Sequence, residues 1–380
     1  MVRLDENSVF KDIDLLVVGA GLSGCVIAER FANLLNKKVL IVERRNHIAG
    51  NCYDCLEENG VMIHRYGPHY FRTNNPQIVD YLSLYTSWIE GRYFVKSFYN
   101  GKLYPFPINL STLEQFFGQT LSAEDALNLL ESKREKIEHP ANSEEYVLSK
   151  VGRELYEAFY RNYTLKQWGR HPKELDSSVC GRIPVRMNRD ERYVEHPYQI
   201  MPKDGYTAMV EKMISHPNIH LMLNTDYKKD VEISKARIIV YTGPIDAYFD
   251  YSLGRLPWRS LNFRVENINQ EFVQPCVQIN YPNDYDYTRC VEIKHVTQQK
   301  HAQTTLVYEY PTAVGDPYYP VPALENKVLY ERYKLLADEK TRTRNVYFVG
   351  RLAQYAYLNM DEVIEQALKK FKTIKANSLL

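Results

Sequence analysis

The segment that decides the fold reads DLLVVGAGLSG across residues 14–24. A short apolar run here enters a turn that contains Gly19, Gly21 and Gly24, and apolar residues at helical spacing follow it. A second apolar run, KVLIV at residues 38–42, ends in a glutamate. This order of strand, glycine-rich turn, helix and strand predicts a βαβ unit that binds a dinucleotide.

Each residue of this unit has a physical role. The first glycine makes the tight turn, the second lets the backbone approach a pyrophosphate, and the third lets the helix pack on the strand. The helix N-terminus then presents unpaired N–H groups to the phosphates. Glu43, after the second strand, can accept hydrogen bonds from a ribose diol and would repel a 2′-phosphate, which argues against NADP.

Widely separated segments predict that the dinucleotide domain is discontinuous. The apolar runs RIIVY at residues 237–241 and NVYFV at residues 345–349 each end near a glycine, and a helix is predicted from Met360 onward. Such a layout is more typical of FAD enzymes than of simple NAD dehydrogenases. Between these segments, residues 122–167 have a helical pattern, and residues 255–310 have short β-like runs that favour an antiparallel sheet.

The composition excludes several classes of partner. The 380 residues include 48 Lys and Arg against 47 Asp and Glu, and this net charge of +1 gives no bias toward nucleic acid or an acidic membrane surface. The most apolar stretch, residues 13–28, falls short of the ~20 residues that span a bilayer, and residues 1–14 lack a signal peptide's apolar region. Six scattered cysteines favour reduced thiols in a cytosol. Because no second pair accompanies Cys52 and Cys55, no metal site is expected.

Tyrosine is the unusual residue, at 31 of 380 positions. Tyr156, Tyr160 and Tyr163 lie at positions i, i+4 and i+7 of a predicted helix, with Trp168 just beyond. This spacing suits either the edge of an amphipathic helix packed on the core or an aromatic wall on which a base or a sugar stacks.

Arginines in predicted loops provide a second kind of contact. Arg182, Arg289 and Arg351 each either lie in solvent or present paired donors to a diphosphate. His69 likewise either contacts the cofactor or is a satisfied loop residue. No motif for a protein nucleophile or a catalytic metal is visible, and the difficult chemical step is therefore expected to fall to the cofactor.

Taken together, these segments resemble the UDP-galactopyranose mutases of bacteria. The matching motifs follow one another in order from about residue 14 to residue 375. They are VGAGLSG (18–24), VERRNH (42–47), YGPH (66–69), YTLKQWG (163–169), RIPVR (182–186), MPKDGY (201–206), YTGPID (241–246), YTR (287–289), PYYP (317–320) and VGRL (349–352).

The resemblance implies an α/β fold of three parts. An FAD-binding Rossmann-like domain would comprise residues 12–90, 203–255 and 335–378, a helical domain residues 100–182, and an antiparallel-sheet substrate domain residues 183–202 and 256–334. The implied activity is an isomerisation that converts a nucleotide-linked hexopyranose, UDP-galactopyranose in the family, into the hexofuranose. N5 of reduced FAD would attack the anomeric carbon, without net redox change.

The resemblance also implies roles for individual residues. Arg182, on a loop that closes over substrate, and Arg289 would hold the diphosphate, and these arginines with His69 would form the catalytic set. Tyr160 and Tyr163 would flank the uracil. The other implied substrate contacts are Trp168 near the sugar, and Tyr193, Tyr318 and Tyr357 at the phosphates. The implied FAD contacts are Gly19, Gly21, Gly24, Glu43, Arg44, Asn51, His69 at the isoalloxazine, Arg351, Asn359 and Met360.

Four positions depart from the family pattern. Arg72 stands where histidine is usual, Ala356 where arginine is usual, Val194 where phenylalanine is common, and Tyr93 where the side chain is smaller or more polar. Arg72 could donate to an acetamido oxygen, which would favour UDP-N-acetylgalactosamine, whereas the bulk of Tyr93 would suit a 6-deoxy sugar such as dTDP-fucopyranose. Retention of UDP-galactose is the third alternative.

The expected partners are a nucleotide-sugar substrate and a reductant such as NADPH, with no nucleic acid and no membrane insertion. By resemblance the protein would be a cytoplasmic homodimer that serves a furanose-containing surface polysaccharide such as O-antigen. Competing classes are an FAD-dependent amine-oxidase-like oxidoreductase, an NAD dehydrogenase and a non-catalytic tyrosine-rich binding module.

Overall fold

The structure is a computed structural model that describes residues 13–230 and 236–377. Most of the leader at residues 1–14 lies outside the described residues. So do three parts of the predicted FAD-binding domain, namely residue 12, residues 231–235 and residue 378. No helix within the described ranges combines the length and the apolar character that crossing a membrane requires.

The strands are β1 (Leu15–Val18), β2 (Val39–Val42), β3 (Asp54–Leu56), β4 (Met62–His64), β5 (Phe71–Thr73), β6 (Trp88–Glu90), β7 (Val95–Tyr99), β8 (Lys102–Phe106), β9 (Tyr198–Pro202), β10 (Ile219–Met222), β11 (Ile238–Tyr241), β12 (Trp258–Ile268), β13 (Gln278–Asn280), β14 (Arg289–Val291), β15 (Thr304–Thr312), β16 (Tyr319–Pro320) and β17 (Val346–Phe348).

The helices are α1 (Leu22–Leu35), α2 (Pro76–Leu82), α3 (Leu110–Phe117), α4 (Ala123–Lys133), α5 (Ser143–Leu155), a π-helical turn (Tyr156–Tyr160), α6 (Arg161–Trp168), α7 (Ser178–Gly181), α8 (Tyr206–Met213), α9 (Tyr227–Asp230), α10 (Ile245–Tyr248), α11 (Lys294–Thr297), α12 (Leu324–Arg344) and α13 (Met360–Asn377).

A parallel sheet in the order β10-β2-β1-β11-β17 confirms the Rossmann-like fold. Leu15 pairs in register with Val39 on one side and with Ile238 on the other, which brings together the apolar runs that are far apart in sequence. The four strands other than β10 are almost wholly buried because helices cover them, as expected for a parallel sheet, whereas β10 at the edge is partly exposed. Against this sheet, α1 packs on α13, where Phe31 and Phe371 meet edge to face at 5.3 Å.

A larger sheet has the order β16-β12-β15-β14-β13-β7-β8. The pairs among the strands of residues 256–334 are antiparallel, as expected, whereas β13 pairs in parallel with β7, which lies outside that range. The domain ranges implied by the resemblance also do not separate helices from strands, because β8 lies inside the range 100–182 that is predicted to be helical. Similarly, β9 lies in the range assigned to the sheet domain but pairs with β5 and β6 of the range 12–90.

The helical region is less continuous than its sequence pattern. A capping box begins α4, since the Ser122 side chain and Asp125 bond each other's backbone N–H groups. Gly152, however, has a φ of +79° and kinks α5, and the next turn is π-helical before α6 begins. A single-turn π-helix is frequent at functional sites, and here it lies between the helix that packs in the core and the helix that carries Tyr163 and Trp168.

Candidate active site and cofactor cavity

A cavity of about 610 Å³ lies at the carboxyl ends of β1, β2 and β11. The N-terminus of α1 opens into it: Gly21 is extended, with φ −80° and ψ 178°, and no side chain caps the helix. The uncapped N–H groups and the positive end of the helix dipole make this a site for an anion. Of the predicted cofactor residues, those that line this cavity are Gly19, Gly21, Glu43, Arg44, Asn51, His69, Arg351 and Met360.

The three glycines of the turn differ in the space that is available for a side chain. Gly19 has a φ of +108°, and a side chain there would overlap that of Thr242. A Cβ on Gly24 would overlap the carbonyl oxygen of Gly19, so this glycine allows the helix to approach the strand and does not itself line the cavity. Gly21 is different, because a Cβ there meets only the Cα of Gly50 at 3.8 Å and faces otherwise open space.

Glu43 is held at the cavity wall by the backbone. One carboxylate oxygen accepts a hydrogen bond from the N–H of Ala20 at 2.9 Å, and the other accepts from the N–H of Arg45 at 2.9 Å. Since a carboxylate has about four acceptor positions, two remain for a diol. An uncapped helix end, a close glycine turn and an oriented acid together fit the dinucleotide cofactor that the sequence predicts.

A second cavity, of about 750 Å³, lies between the helical region and the large sheet. It meets the cofactor cavity at His69, Arg351 and Met360, which line both. Asn359, predicted as a cofactor contact, lines this second cavity instead of the first. The predicted substrate residues that the structure brings together here are Arg72, Tyr160, Tyr163, Trp168, Arg182, Tyr193, Arg289 and Tyr357.

Tyr318, which the resemblance assigns to the phosphates, is the exception, because it does not line this cavity. Its ring is buried and packs 6.1 Å from the rings of Tyr66 and Phe263, outside the second cavity. Tyr319 lines the cavity in its place, accepts a hydrogen bond from Arg289 at 3.3 Å and stacks on Tyr357 at 5.8 Å. Successive residues of a strand point to opposite faces, and the PYYP motif alone does not indicate which tyrosine faces inward.

Arg289 is held by a buried acid that the sequence reasoning missed. Its Nε lies 2.6 Å from Oε2 of Glu309, which has no exposed surface, and the two residues are direct partners on β14 and β15. Burial raises the pKa of Glu309, while the charge of Arg289 opposes that rise. The other oxygen, Oε1, has no hydrogen-bond partner among the described residues. No sequence motif marks Glu309, because only strand register brings it to Arg289.

The opposite wall gathers positive charge around Tyr357. The guanidinium carbons of Arg182 and Arg351 lie 4.3 and 5.4 Å from the centre of its ring. Burial disfavours the phenolate, but the charges of Arg182, Arg351, Arg72 and Arg289 outweigh it and lower the pKa of Tyr357 to about 8. A cluster of cations that stabilises one anion is suited to bind another, such as a diphosphate.

Three of the four positions that depart from the family pattern line this cavity. Arg72 donates to the hydroxyl of Tyr70 at 2.8 Å and to Oδ1 of Asn359 at 2.9 Å, and its buried Nε has no partner in the described chain. Tyr93 stacks on Tyr70 at 4.2 Å and donates to Gln278 at 2.8 Å. Val194 also lines the cavity, whereas Ala356 does not.

His69, at the junction of the cavities, is a neutral imidazole. Burial, with a smaller contribution from His64, lowers its pKa to about 3. Its Nδ1 lies 2.8 Å from the carbonyl oxygen of Gly67, and because a carbonyl only accepts, Nδ1 carries the proton. Its Nε2 therefore presents a lone pair, since the ring of a neutral imidazole has one donor and one acceptor.

Comparisons with known proteins agree with this geometry. The family model of UDP-galactopyranose mutase matches residues 158–357, and that of an NAD(P)-binding Rossmann-like domain matches residues 17–83. A probable UDP-galactopyranose mutase of Klebsiella pneumoniae is 40% identical over 363 residues, 94% of this chain and 93% of that protein. The dTDP-fucopyranose mutase of Escherichia coli is 35% identical over 367 residues, 93% of this chain and 96% of that protein.

The fold has a counterpart among solved structures. The crystal structure of reduced UDP-galactopyranose mutase aligns with a TM-score of 0.75 at 16% identity, covering 97% of this chain and 96% of that one. The resemblance carried by the motifs is thereby confirmed, as are a Rossmann-like fold, an enzyme of the mutase class and a flavin cofactor. The chain belongs to the UDP-galactopyranose mutase family.

Proposed function

We propose that the protein interconverts UDP-galactopyranose and UDP-galactofuranose. The observation that carries this proposal is the junction of the two cavities, where an arginine- and tyrosine-lined chamber opens at His69, Arg351 and Met360 onto the dinucleotide cavity. A substrate whose diphosphate lies among Arg182, Arg289 and Tyr357 would present its anomeric carbon toward this junction.

The cofactor we propose is FAD in its reduced form. When bound, it supplies a nucleophilic nitrogen, N5, that attacks the anomeric carbon, so that no protein nucleophile is required. The N-terminus of α1 would hold its pyrophosphate and Glu43 its ribose, with Arg44 and Asn51 alongside. The neutral His69 would keep its Nε2 as a hydrogen-bond acceptor beside the ring system.

The protein residues provide binding and charge. Arg182 and Arg289 would stabilise the diphosphate as it leaves the sugar, with hydroxyl donors from Tyr193, Tyr319 and Tyr357. Tyr160 and Tyr163 would flank the base, and Trp168 would cover the sugar and exclude water. Fixed donors in a partly enclosed cavity favour return of the same diphosphate over hydrolysis.

A second substrate, UDP-N-acetylgalactosamine, is favoured by one observation. The buried Nε of Arg72 has no partner within the described ranges, and an acetamido oxygen is an acceptor that would satisfy it. The stacked pair of Tyr70 and Tyr93 supports a third substrate, dTDP-fucopyranose, because it narrows the cavity with apolar surface. That alternative also agrees with the relationship to the Escherichia coli dTDP-fucopyranose mutase.

The test is to incubate the dithionite-reduced enzyme with each of these three nucleotide sugars and to separate the products. We expect furanose product from UDP-galactose, and product from another sugar only if Arg72 or Tyr93 has shifted the specificity. The oxidised enzyme is the control and should be inactive. Absence of turnover on every nucleotide sugar in both states would refute the mutase function, and substrate-dependent oxygen consumption would favour an amine-oxidase-like enzyme.

The cellular context is also proposed from the family. We propose a cytoplasmic homodimer whose flavin is kept reduced by NADPH or a similar donor. Its product would enter a furanose-containing surface polysaccharide such as O-antigen. Light scattering would test the dimer, and the rate of flavin bleaching by NADPH would test the reductant.

A further inference from the structure

A half-buried lysine connects the helix of the aromatic wall to the hairpin that carries Arg289. Lys166 lies on α6, and its ammonium donates hydrogen bonds to backbone carbonyls of the turn between β13 and β14. An ammonium has three donors, and this single turn accepts all three. The acceptors are the carbonyl oxygens of Tyr285 at 2.7 Å, of Tyr287 at 3.2 Å, and of Tyr281 at a shorter distance.

Further hydrogen bonds join the same two elements. In the turn, Asn283 donates to the carbonyl of Ala158 at 3.0 Å and accepts from Asn162 at 2.8 Å. At the other end of α6, Arg259 of β12 donates to the carbonyl oxygens of Gln167 at 2.8 Å and Lys166 at 3.1 Å. The helix is therefore fixed to the sheet near both of its ends, and the Lys166 bonds are made to the turn that directly precedes Arg289.

The charge state of Lys166 is consistent with these hydrogen bonds. Burial lowers the pKa of Lys166 to about 8, while the neighbouring carboxylates of Asp284 and Asp286 oppose this effect. The ammonium is accordingly mostly protonated at neutral pH and able to donate. Hydrogen bonds from a charged donor are stronger than those between neutral groups.

We propose that Lys166 is a positioning residue that fixes the separation between the aromatic wall and Arg289. This inference rests on the proposed function, in which Tyr160 and Tyr163 contact the base and Arg289 contacts the diphosphate. A ligand that reaches both sites gains full affinity only when their separation matches its own length. The affinity of a fragment that reaches only one site does not depend on that separation.

The test compares Lys166→Met with Lys173→Met in the FAD-loaded enzyme. Lys173 is exposed just beyond α6, so its variant removes the same charge without freeing the hairpin. Calorimetric titrations use UDP, uridine and inorganic pyrophosphate as probes. For Lys166→Met we expect the Kd of UDP to rise about tenfold while the other two change less than about twofold. The Kd values of Lys173→Met should match those of the wild type, and Lys166→Arg should recover part of the UDP affinity. In turnover assays of Lys166→Met, KM should rise more than kcat falls.

Two results with the variant would overturn the proposal. Either UDP affinity is unchanged, or all three probes weaken equally, which would indicate local damage and not a changed separation. Wild-type enzyme that fails to bind UDP would instead refute the proposed function, and the inference with it. If Lys166→Met does not fold, Asn283→Ala is titrated in its place. An approximately threefold loss for UDP alone then supports the proposal, and no selective loss refutes it.

Discussion

The guanidinium carbon of Arg182 lies 4.3 Å from the centre of the Tyr357 ring. Arg351 approaches the same ring at 5.4 Å, and both arginines line the cavity into which Tyr357 points. The resulting field lowers the pKa of Tyr357 to about 8 against the opposing effect of burial. A tyrosine that ionises this close to neutrality changes the charge of the cavity within the pH range of an ordinary assay.

The first prediction concerns the pH dependence of ligand binding. Below pH 8 Tyr357 is neutral and donates a hydrogen bond, whereas above pH 8 its phenolate cancels one positive charge of the cavity and repels a diphosphate. The affinity for UDP should therefore fall between pH 7 and pH 9. In Tyr357→Phe, which cannot ionise, the affinity should be lower at pH 7 but nearly constant up to pH 9. Equal slopes for the two enzymes in calorimetric titrations would contradict this assignment.

The second prediction concerns the shape of the Arg289 side chain. Its fork donates to Glu309 and Tyr319 at once, and a lysine cannot reproduce both bonds and still face a diphosphate. Arg289→Lys should weaken UDP binding by about 2 kcal/mol or more, roughly 30-fold, because an ammonium that stays with Glu309 no longer presents paired donors to a diphosphate. Arg264→Lys is the matched control, since Arg264 is half exposed on β12 of the same sheet and its guanidinium lies over the ring of Tyr308. Similar losses in both variants would argue against a specific role for Arg289.

The cofactor cavity could be predicted from the sequence because patterns of a few residues determine its local structure. An apolar run at β1, the turn from Gly19 to Gly24 and an acid after β2 each act over a few residues. The resemblance, and not the residue pattern alone, named the residues of the second cavity, because a tyrosine on a helix edge or an arginine in a loop also has ordinary structural roles. The motifs that contain these residues follow one another in the order of the family, and the structure gathers most of the residues in one cavity.

What could not be predicted depends on strand register and long-range pairing. Tyr318 and Tyr319 are adjacent in sequence, and the pairing of Tyr319 with Arg259 where β16 meets β12 decides which of the two faces the cavity. Glu309 meets Arg289 because β14 and β15 align those two residues, 20 positions apart. The strand β8 lies within the range 100–182 that the resemblance assigns to a helical domain, and its five residues are too few to establish a period of two from the sequence.

The third prediction separates cofactor binding from folding at the glycine turn. Gly21→Ala adds a methyl group where the backbone has ordinary negative φ and the nearest atom is 3.8 Å away, so the apoprotein should fold normally. The methyl would occupy the space of the pyrophosphate, and the protein should purify with little or no flavin absorbance. Gly24→Ala should instead lower the melting temperature, since its methyl group overlaps the Gly19 carbonyl. A yellow Gly21→Ala protein with wild-type flavin content would refute the placement of the pyrophosphate.

The last prediction concerns retention of the cofactor. Asp316 pairs with Arg44 at 2.7 Å and with Arg45 at 3.0 Å, and all three residues line the cofactor cavity from opposite sides. These ion pairs are partly exposed and contribute only about 0–1 kcal/mol to global stability. They nevertheless join the loop after β2 to the loop before β16 and thus close the cavity around its occupant.

We therefore expect Asp316→Ala to release FAD faster without a large change in melting temperature. A loss of about 1 kcal/mol corresponds to roughly fivefold faster dissociation, measurable as the recovery of free-flavin fluorescence after dilution of the holoenzyme. Asp204→Ala is the control, because Asp204 forms an equally exposed ion pair with Lys212 at 3.4 Å, away from the cavity. High salt should accelerate release from the wild type more than from Asp316→Ala, since it screens the pairs that the variant lacks. Identical release rates for the wild type and Asp316→Ala would show that the two loops do not retain the cofactor.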